Sequence, residues 1–219
     1  MLDPSKIIPP ILAGLPDETV HVVMAAAIER SVPAGAALFH EEDAADQLTL
    51  ILGGSVRVWR TSSSGAAITL HVLGPGDIPG CVAVIRRTPY PASATTSAPT
   101  RILTWPAERI RALISQHPPF AANLLDVVAA RNEEMLQRLH EVSTLHVPPR
   151  VARVLIRMID ESGRPDVAQS RQDIAELAAT TLHTVSRLMS RWHRDGVVRA
   201  GRGRVLVLDR ARLEKLAEG

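Results

Sequence analysis

The stretch Ser170-Arg171-Gln172-Asp173-Ile174-Ala175-Glu176-Leu177-Ala178-Ala179-Thr180-Thr181-Leu182-His183-Thr184-Val185-Ser186-Arg187-Leu188-Met189-Ser190-Arg191-Trp192-His193-Arg194-Asp195-Gly196 decides how the chain is read. Ser170 with an acid three residues later, Asp173, is a capping-box variant that starts a helix. Ile174, Leu177 and Ala178 give that helix a short apolar stripe. Ala179-Thr180-Thr181 is a tight break, and Thr181 can cap a second helix. Leu182, Val185, Leu188, Met189 and Trp192 then recur at helical spacing as a face to be buried. The opposite face carries His183, Thr184, Ser186, Arg187, Arg191 and Arg194. Two short helices around a short turn, the second with a donor-rich outer side, make a helix-turn-helix. Arginine can bond bidentately to guanine O6 and N7, and Ser and Thr can bond bases or phosphates.

Immediately after it, residues 197–208 read as a hairpin whose tip holds three arginines, Arg199, Arg202 and Arg204. Such a wing grips phosphate rather than reading sequence. The alternative for the whole segment is a generic three-helix bundle with a solvated basic face. Charge distribution favours the polyanion binder. Net charge is only +2, yet residues 1–146 carry 11 Lys+Arg against 14 Asp+Glu, and residues 147–219 carry 14 against 9. Residues 187–204 hold six arginines and one acid, Asp195. An acidic front half joined to a basic back half suits a sensor module coupled to a nucleic-acid binder.

Upstream of the motif, Val147-Pro148-Pro149 reads as a hinge that breaks a long helix opened by Pro118-Pro119. In that helix Leu125, Val128, Asn132, Met135, Leu139, Val142 and His146 are spaced three and four apart, a coiled-coil seam with charges off it. Either the seam packs on the chain's own front half, or it pairs in parallel with a second copy, Asn132 fixing register. The second is expected. Between residues 31 and 101 the pattern changes to short strand-like runs, such as Leu48-Thr49-Leu50-Ile51-Leu52, Ser55-Val56-Arg57-Val58-Trp59 and Ile68-Thr69-Leu70-His71-Val72-Leu73. Glycines punctuate these runs, and Ser62-Ser63-Ser64-Gly65 is a hairpin loop. They predict a compact antiparallel sandwich or roll. Ahead of it, Leu15-Pro16-Asp17-Glu18 starts a helix expected to put Val20, Val23, Met24, Ala27 and Ile28 on one face.

A length of 219 residues suits two domains, and 46% apolar residues suffice for real cores. No apolar run approaches the roughly 20 residues of a membrane span. The start lacks a basic region followed by an apolar one, so a cytoplasmic location is expected. One cysteine, Cys81, excludes an internal disulfide, a four-thiolate iron–sulfur cluster and a structural zinc site of that kind. No Ser/His/Asp constellation, metal-spaced cluster or Walker-type loop is present, so an enzyme is not expected.

These residues resemble the Crp–Fnr superfamily of bacterial transcription regulators over nearly the whole chain. The likeness rests on Val32-Pro33-Ala34-Gly35-Ala36-Ala37-Leu38-Phe39, Ile51-Leu52-Gly53-Gly54-Ser55-Val56-Arg57-Val58 and Gly74-Pro75-Gly76-Asp77 in front. It continues through the long helix to Arg171-Gln172-Asp173-Ile174-Ala175 and Thr184-Val185-Ser186-Arg187-Leu188 behind. It implies an α+β fold in three parts. Residues 1–117 would form an N-terminal antiparallel β-roll of the cyclic-nucleotide-binding kind with N-terminal helices. Residues 118–146 would form a dimerisation helix carrying Leu125, Val128, Asn132, Met135, Leu139 and Val142. Residues 147–219 would form a winged helix-turn-helix.

The implied partners are double-stranded DNA, a second copy and RNA polymerase. Ser170, Arg171, Thr181, His183, Thr184, Ser186, Arg187, Arg191, Arg202 and Arg204 would face DNA. The run from Thr180 to Arg187 looks most like NnrR-type regulators of nitrogen-oxide respiration, implying a palindrome of TTG-type half-sites. Arg187 would read the guanine, and His183 would stand where the family has a glutamate, changing the preferred base.

The resemblance also bears on the effector. Family members that bind cyclic AMP have Gly-Glu-Leu and, further on, Arg-Ser/Ala-Ala. Here Cys81 stands at the glutamate, and Tyr90 stands near the arginine. Burying a phosphate without its cation is costly, so no cyclic nucleotide is expected. Related regulators respond to nitric oxide through haem, for which His71, His21 and Cys81 are the candidate ligands, with His40 and His117 also in the front half. A cyclic-nucleotide-dependent regulator, and a ligand-free one controlled by oxidation of Cys81, remain as alternatives. Arg187→Ala is expected to cost ~1–3 kcal/mol and relax preference at one base pair, whereas Arg202→Ala weakens all sequences alike. Titrating both variants with specific and random duplexes checks this. Equal losses on both duplexes for both variants would contradict it.

Overall fold

A computed structural model describes residues 9–62, 65, 67–163, 165–167, 170–201 and 204–219. The chain divides into two compact units, Met1–Glu133 and Glu134–Gly219. The first opens with a tight turn, Pro10–Leu12, and helix α1 (Asp17–Ala25), whose first turn holds Asp17 and Glu18 against the helix dipole. The helix ends earlier than the apolar spacing predicts. Ala27 donates its amide to the Met24 carbonyl as a turn, and Ile28, half exposed, begins a strand paired with Thr104. Strand pairing of a β-branched residue overrides helical periodicity there.

Seven strands follow, interrupted by one helix. They are β1 (Ile28–Val32), β2 (Ala37–Phe39), β3 (Gln47–Gly53), β4 (Val56–Thr61), β5 (Ala67–Leu73), then α2 (Cys81–Arg86), β6 (Ser93–Thr96) and β7 (Thr100–Pro106). Helices α3 (Ala107–Gln116) and α4 (Pro118–Thr144) complete the series. All pairings are antiparallel, in a three-stranded sheet β1-β7-β3 and a four-stranded sheet β2-β6-β4-β5. Between β4 and β5, Ser63 and Ser64 of the expected hairpin loop lie outside the described residues.

Inward side chains of both sheets form one core: Leu48, Leu50 and Trp105 from one, Phe39, Val56, Leu73 and Ala94 from the other. The Trp105 indole donates to the Val23 carbonyl at 2.8 Å, fixing α1 to β7. Phe120 and Leu124 of α4 reach the same core, and Asn123 donates to the Ile11 and Ala13 carbonyls. Helix α2 escapes sequence reading because it is six residues long and opens on Gly80, with no side-chain cap.

The second unit contains α5 (Val147–Ser162), β8 (Asp166–Val167), α6 (Arg171–Leu177), α7 (Leu182–Arg194), β9 (Val198–Ala200), β10 (Val205–Val207) and α8 (Arg210–Glu218). Val147-Pro148-Pro149 is the first turn of α5 rather than a break. Proline is tolerated there because those amides have no helical acceptor. The interruption after α4 falls at Leu145 and His146. Strands β8, β10 and β9 form a small antiparallel sheet, and Val151, Leu155, Ile174, Val185, Met189, Trp192 and Leu213 form a separate core. A two-residue β8 is too short for pattern reading. The signal for α8 was present, since Asp209 caps it by accepting from the Arg212 amide at 3.0 Å and Leu213 and Ala217 fill its inner side.

Tyr90 is buried and stacks on Phe39, ring centroids 3.7 Å apart. Its hydroxyl donates to the Gln47 carbonyl at 2.8 Å. Gly80, at φ +71°, lies against that ring, so a Cβ there would come 2.5 Å from Tyr90 Cε1. Left-handed backbone and overpacking add, so Gly80→Ala is expected to cost roughly 2–4 kcal/mol. Denaturant unfolding measures it, and a change below about 1 kcal/mol would refute this reading of the packing.

Candidate nucleic-acid interface

Helix α6 starts as its sequence demands. Ser170 Oγ accepts from the Asp173 amide at 3.1 Å, and Asp173 accepts from the Ser170 amide at 3.0 Å, closing the capping box. The turn after α6 is made by Ala179 at φ +49°. The Thr180 amide donates to the Ala175 carbonyl at 2.9 Å, satisfying the end of the helix. Thr181 then caps α7, accepting from the Thr184 amide at 3.2 Å, its hydroxyl 3.0 Å from that of Thr184.

Val185, Met189 and Trp192 are buried, one helical turn apart. Leu188 is partly buried, but Leu182 is 46% exposed, a departure from the expected face. Leu182 is the first residue after the cap, where the helix has only begun to meet the core. On the far side His183, Arg187, Arg191 and Arg194 are exposed, with Thr184 and Ser186 half-buried. His183, Arg187 and Arg194 make no hydrogen bond or ion pair with another described residue. Arg191 lies 3.9 Å from Asp195 across an exposed pair, which contributes little. Ser170 and Arg171, both half-buried, sit at the start of α6.

In the wing, β9 and β10 pair Val205 with Ala200 and Val207 with Val198. Arg199 is exposed. Arg204 is 70% exposed, 3.9 Å from Asp166. Arg202 lies outside the described residues. The second unit therefore presents a helix whose apolar side is committed to its own core and whose cationic side is open, a geometry able to accept phosphates and base edges.

The seam of α4 is uncovered along the chain. Leu125, Met135, Leu139 and Val142 are exposed, as is Asn132, and Val128 alone is partly packed on the first core. Leu136, also exposed, lies beside them and was not on the expected seam.

In the front half, Cys81 opens α2 and is buried, and burial pushes its thiol above the ordinary range. The Tyr90 phenol is pushed up to about 12, chiefly by burial and then by the charge of Asp46. His21 is exposed on α1, and His71 is half-buried on β5. Among the described residues no three of His, Cys, Asp and Glu could hold one metal ion. A surface depression of about 500 Å³ bordered by Ala45, Thr88, Pro89 and Arg111 is lined by none of them. Haem needs an apolar slot with an axial ligand aimed into it; of the three candidate ligands Cys81 is buried, His71 half-buried and His21 exposed.

Comparisons with known proteins agree with this layout. A cyclic nucleotide-binding domain profile matches residues 29–117, and a Crp-like helix-turn-helix domain profile matches residues 149–216. The cyclic AMP receptor protein of Thermus thermophilus is 33% identical over 210 residues, covering 96% of this chain and 97% of that one. A CRP-like cAMP-activated global transcriptional regulator of Mycobacterium tuberculosis is 27% identical, covering 84% and 86%. The structure of FixK2 from Bradyrhizobium japonicum, 22% identical, shares the fold with a TM-score of 0.78 over 87% of this chain and 96% of that one. No helix among the described residues is long and apolar enough to cross a membrane.

Because Arg187 is exposed and has no partner among the described residues, Arg187→Ala is expected to leave stability within about 0.5 kcal/mol of the parent. Ser170→Ala, which opens the capping box, lowers it by about 1 kcal/mol, and Ala179→Gly, relieving a left-handed alanine, raises it by roughly 1 kcal/mol. Chemical denaturation of the three variants checks the ordering. A destabilised Arg187→Ala would mean that the arginine is part of the fold.

Proposed function

The chain belongs to the Crp–Fnr family of DNA-binding transcription regulators, and we propose that it works as a homodimer reading a palindromic duplex of TTG-type half-sites. The observation that carries this reading is α7, anchored by Val185, Met189 and Trp192 and open at His183 and Arg187, with Ser186 half-buried between them. Arg187 bonds guanine in the major groove, and His183 sets the base preferred beside it. Thr181, Thr184, Arg191, Ser170 and Arg171 flank the groove, and Arg202 and Arg204 hold phosphate from the wing. RNA polymerase is the partner on which regulation acts.

The second copy follows from the seam. Leu125, Met135, Leu139 and Val142 are an exposed apolar row on one long helix, and Asn132 among them suits a polar register pin in a parallel pair. Control of nitrogen-oxide genes rests on the resemblance of residues 180–187 alone. Haem rests on the same resemblance, with His21, His71 and Cys81 as the candidate ligands, and no haem step is assigned.

A cyclic nucleotide is the second reading, favoured by two relatives, a cyclic AMP receptor protein and a cAMP-activated regulator. Against it stand Tyr90, whose ring is packed on Phe39, and Cys81, whose thiol is only a weak acceptor for a ribose hydroxyl. Oxidative control through Cys81 is disfavoured by a buried, protonated thiol.

Leu139→Asp puts a charge on the seam. It is expected to give monomers by sedimentation and to weaken binding to a palindrome by roughly a hundredfold or more, since the two half-sites are no longer engaged together. A Leu139→Asp protein that stays dimeric with full affinity would refute the pairing. Calorimetry with cyclic AMP is expected to show no saturable binding in the micromolar range. Saturable heat there would establish the second reading.

A further inference from the structure

The second unit begins inside α4, at Glu134, well ahead of the prolines that open α5. Side chains explain why. Glu141 on α4 is a charged residue only 3% exposed. Its Oε1 accepts from Arg157 Nη1 at 2.7 Å and from Gln137 Nε2 at 3.3 Å, with Arg153 Nη1 at 3.7 Å. Arg153 and Arg157 both belong to α5. Arg153 also donates through Nε to the Ala217 carbonyl of α8 at 2.9 Å. One helical turn before Glu141, Arg138 donates through Nη2 to the Glu176 carbonyl in the last turn of α6, at 2.7 Å. The final turns of α4 therefore grip α5 directly, α8 through Arg153, and the first helix of the helix-turn-helix through Arg138.

An ion cluster whose carboxylate is buried and whose guanidinium groups are partly exposed is a poor source of stability, because desolvation of the carboxylate offsets much of the attraction. Well-packed apolar side chains would hold the same helices at least as firmly. What the charges supply is direction. A carboxylate shared by two guanidinium groups, and a guanidinium donor aimed at one carbonyl, tolerate a narrow range of helix placements. On the other side of the same turns, Leu139 and Val142 are exposed and belong to the seam.

We propose that Glu141 and Arg138 are positioning residues that lock the reading helix α7 at one orientation relative to the seam of α4. In the dimer, the separation of the two reading helices is then set by this brace, and the bend at Leu145 and His146 is bridged rather than free. The proposal rests on the reading of α7 as the base-contacting helix and of the seam as the dimer contact. Neither Glu141 nor Arg138 touches DNA in it.

The test uses the full-length protein and a palindromic duplex that it selects from a randomised pool. The duplex is rebuilt with its two half-sites moved together or apart by one and two base pairs, and as a single half-site. Each base pair shifts a half-site along and around the helix, so the parent is expected to lose roughly tenfold or more in affinity per step. Glu141→Gln keeps the size and removes the charge, and Arg138→Met keeps the length and removes the donor to Glu176. Both are expected to bind the single half-site within about twofold of the parent, while the spacing penalty falls by about threefold or more, because a loosened domain reaches displaced half-sites. Sedimentation should show both still dimeric. Spacing profiles that superimpose on the parent's would overturn the proposal. So would equal losses on the half-site and on every spacing, which would make Glu141 a residue of the fold alone. A pool that yields no preferred sequence would instead remove the reading of α7, and the brace would lose its role with it.

Discussion

Rotation of α7 about its own axis is the constraint on which the rest depends. Val185, Met189 and Trp192 lie one turn apart and are fully enclosed with Val151, Leu155, Ile174 and Leu213. Burying side chains of that size stabilises by roughly 1.5–3 kcal/mol each, far more than an exposed arginine can return by turning inward. The helix therefore has one low-energy orientation, and His183, Ser186 and Arg187 face outward as a consequence. The turn before it costs something, since Ala179 is held in a left-handed conformation. The capping pairs at Ser170 and Thr181 help to offset that strain.

The front unit has a comparable fixed point. Tyr90 lies between Phe39 and Gly80 and donates to Gln47, so three separate strands and loops converge on one ring. Close by in sequence, the Gly74-Pro75-Gly76-Asp77 turn is tied to β3, with Gly76 donating to the Ile51 carbonyl and Ile51 to that of Asp77. Asp77 also accepts from the Gly74 amide and pairs with Arg131 of α4. Arg131 is the neighbour of Asn132 in the seam. The turn between β5 and α2 is thus held both to the sheet and to the long helix, and in the proposed dimer a signal there has leverage only by its differential affinity for two arrangements.

Much of this was legible in the residues because local chemistry and burial agreed. The capping box at Ser170 predicts the start of α6, the cap at Thr181 the start of α7, and the spacing of Val185, Met189 and Trp192 its buried face, and the structure has all three. The strands around Leu50, Val58 and Leu70 were equally plain from their punctuation by glycine. Misreadings came where tertiary contacts outweighed local pattern. Ile28 fits a helical stripe, but its backbone is claimed by Thr104. Pro148 and Pro149 look like a break, but in a first turn they leave no hydrogen bond unmade. Glu141 looked like one more charge off the seam, and nothing in the sequence near it announces Arg157, sixteen residues on. No effector site was legible, because single-sequence patterns do not specify how the strands of the front half pair.

Guanine N7 lies only in the major groove, so its reactivity toward dimethyl sulfate in the bound duplex tests the central claim most directly. The account predicts protection of a guanine N7 in each half-site of the selected palindrome, with that protection lost in Arg187→Ala while the wing still holds the DNA. A bound duplex whose guanines all react as in free DNA would contradict it, because α7 would then be lying on the phosphates and reading nothing.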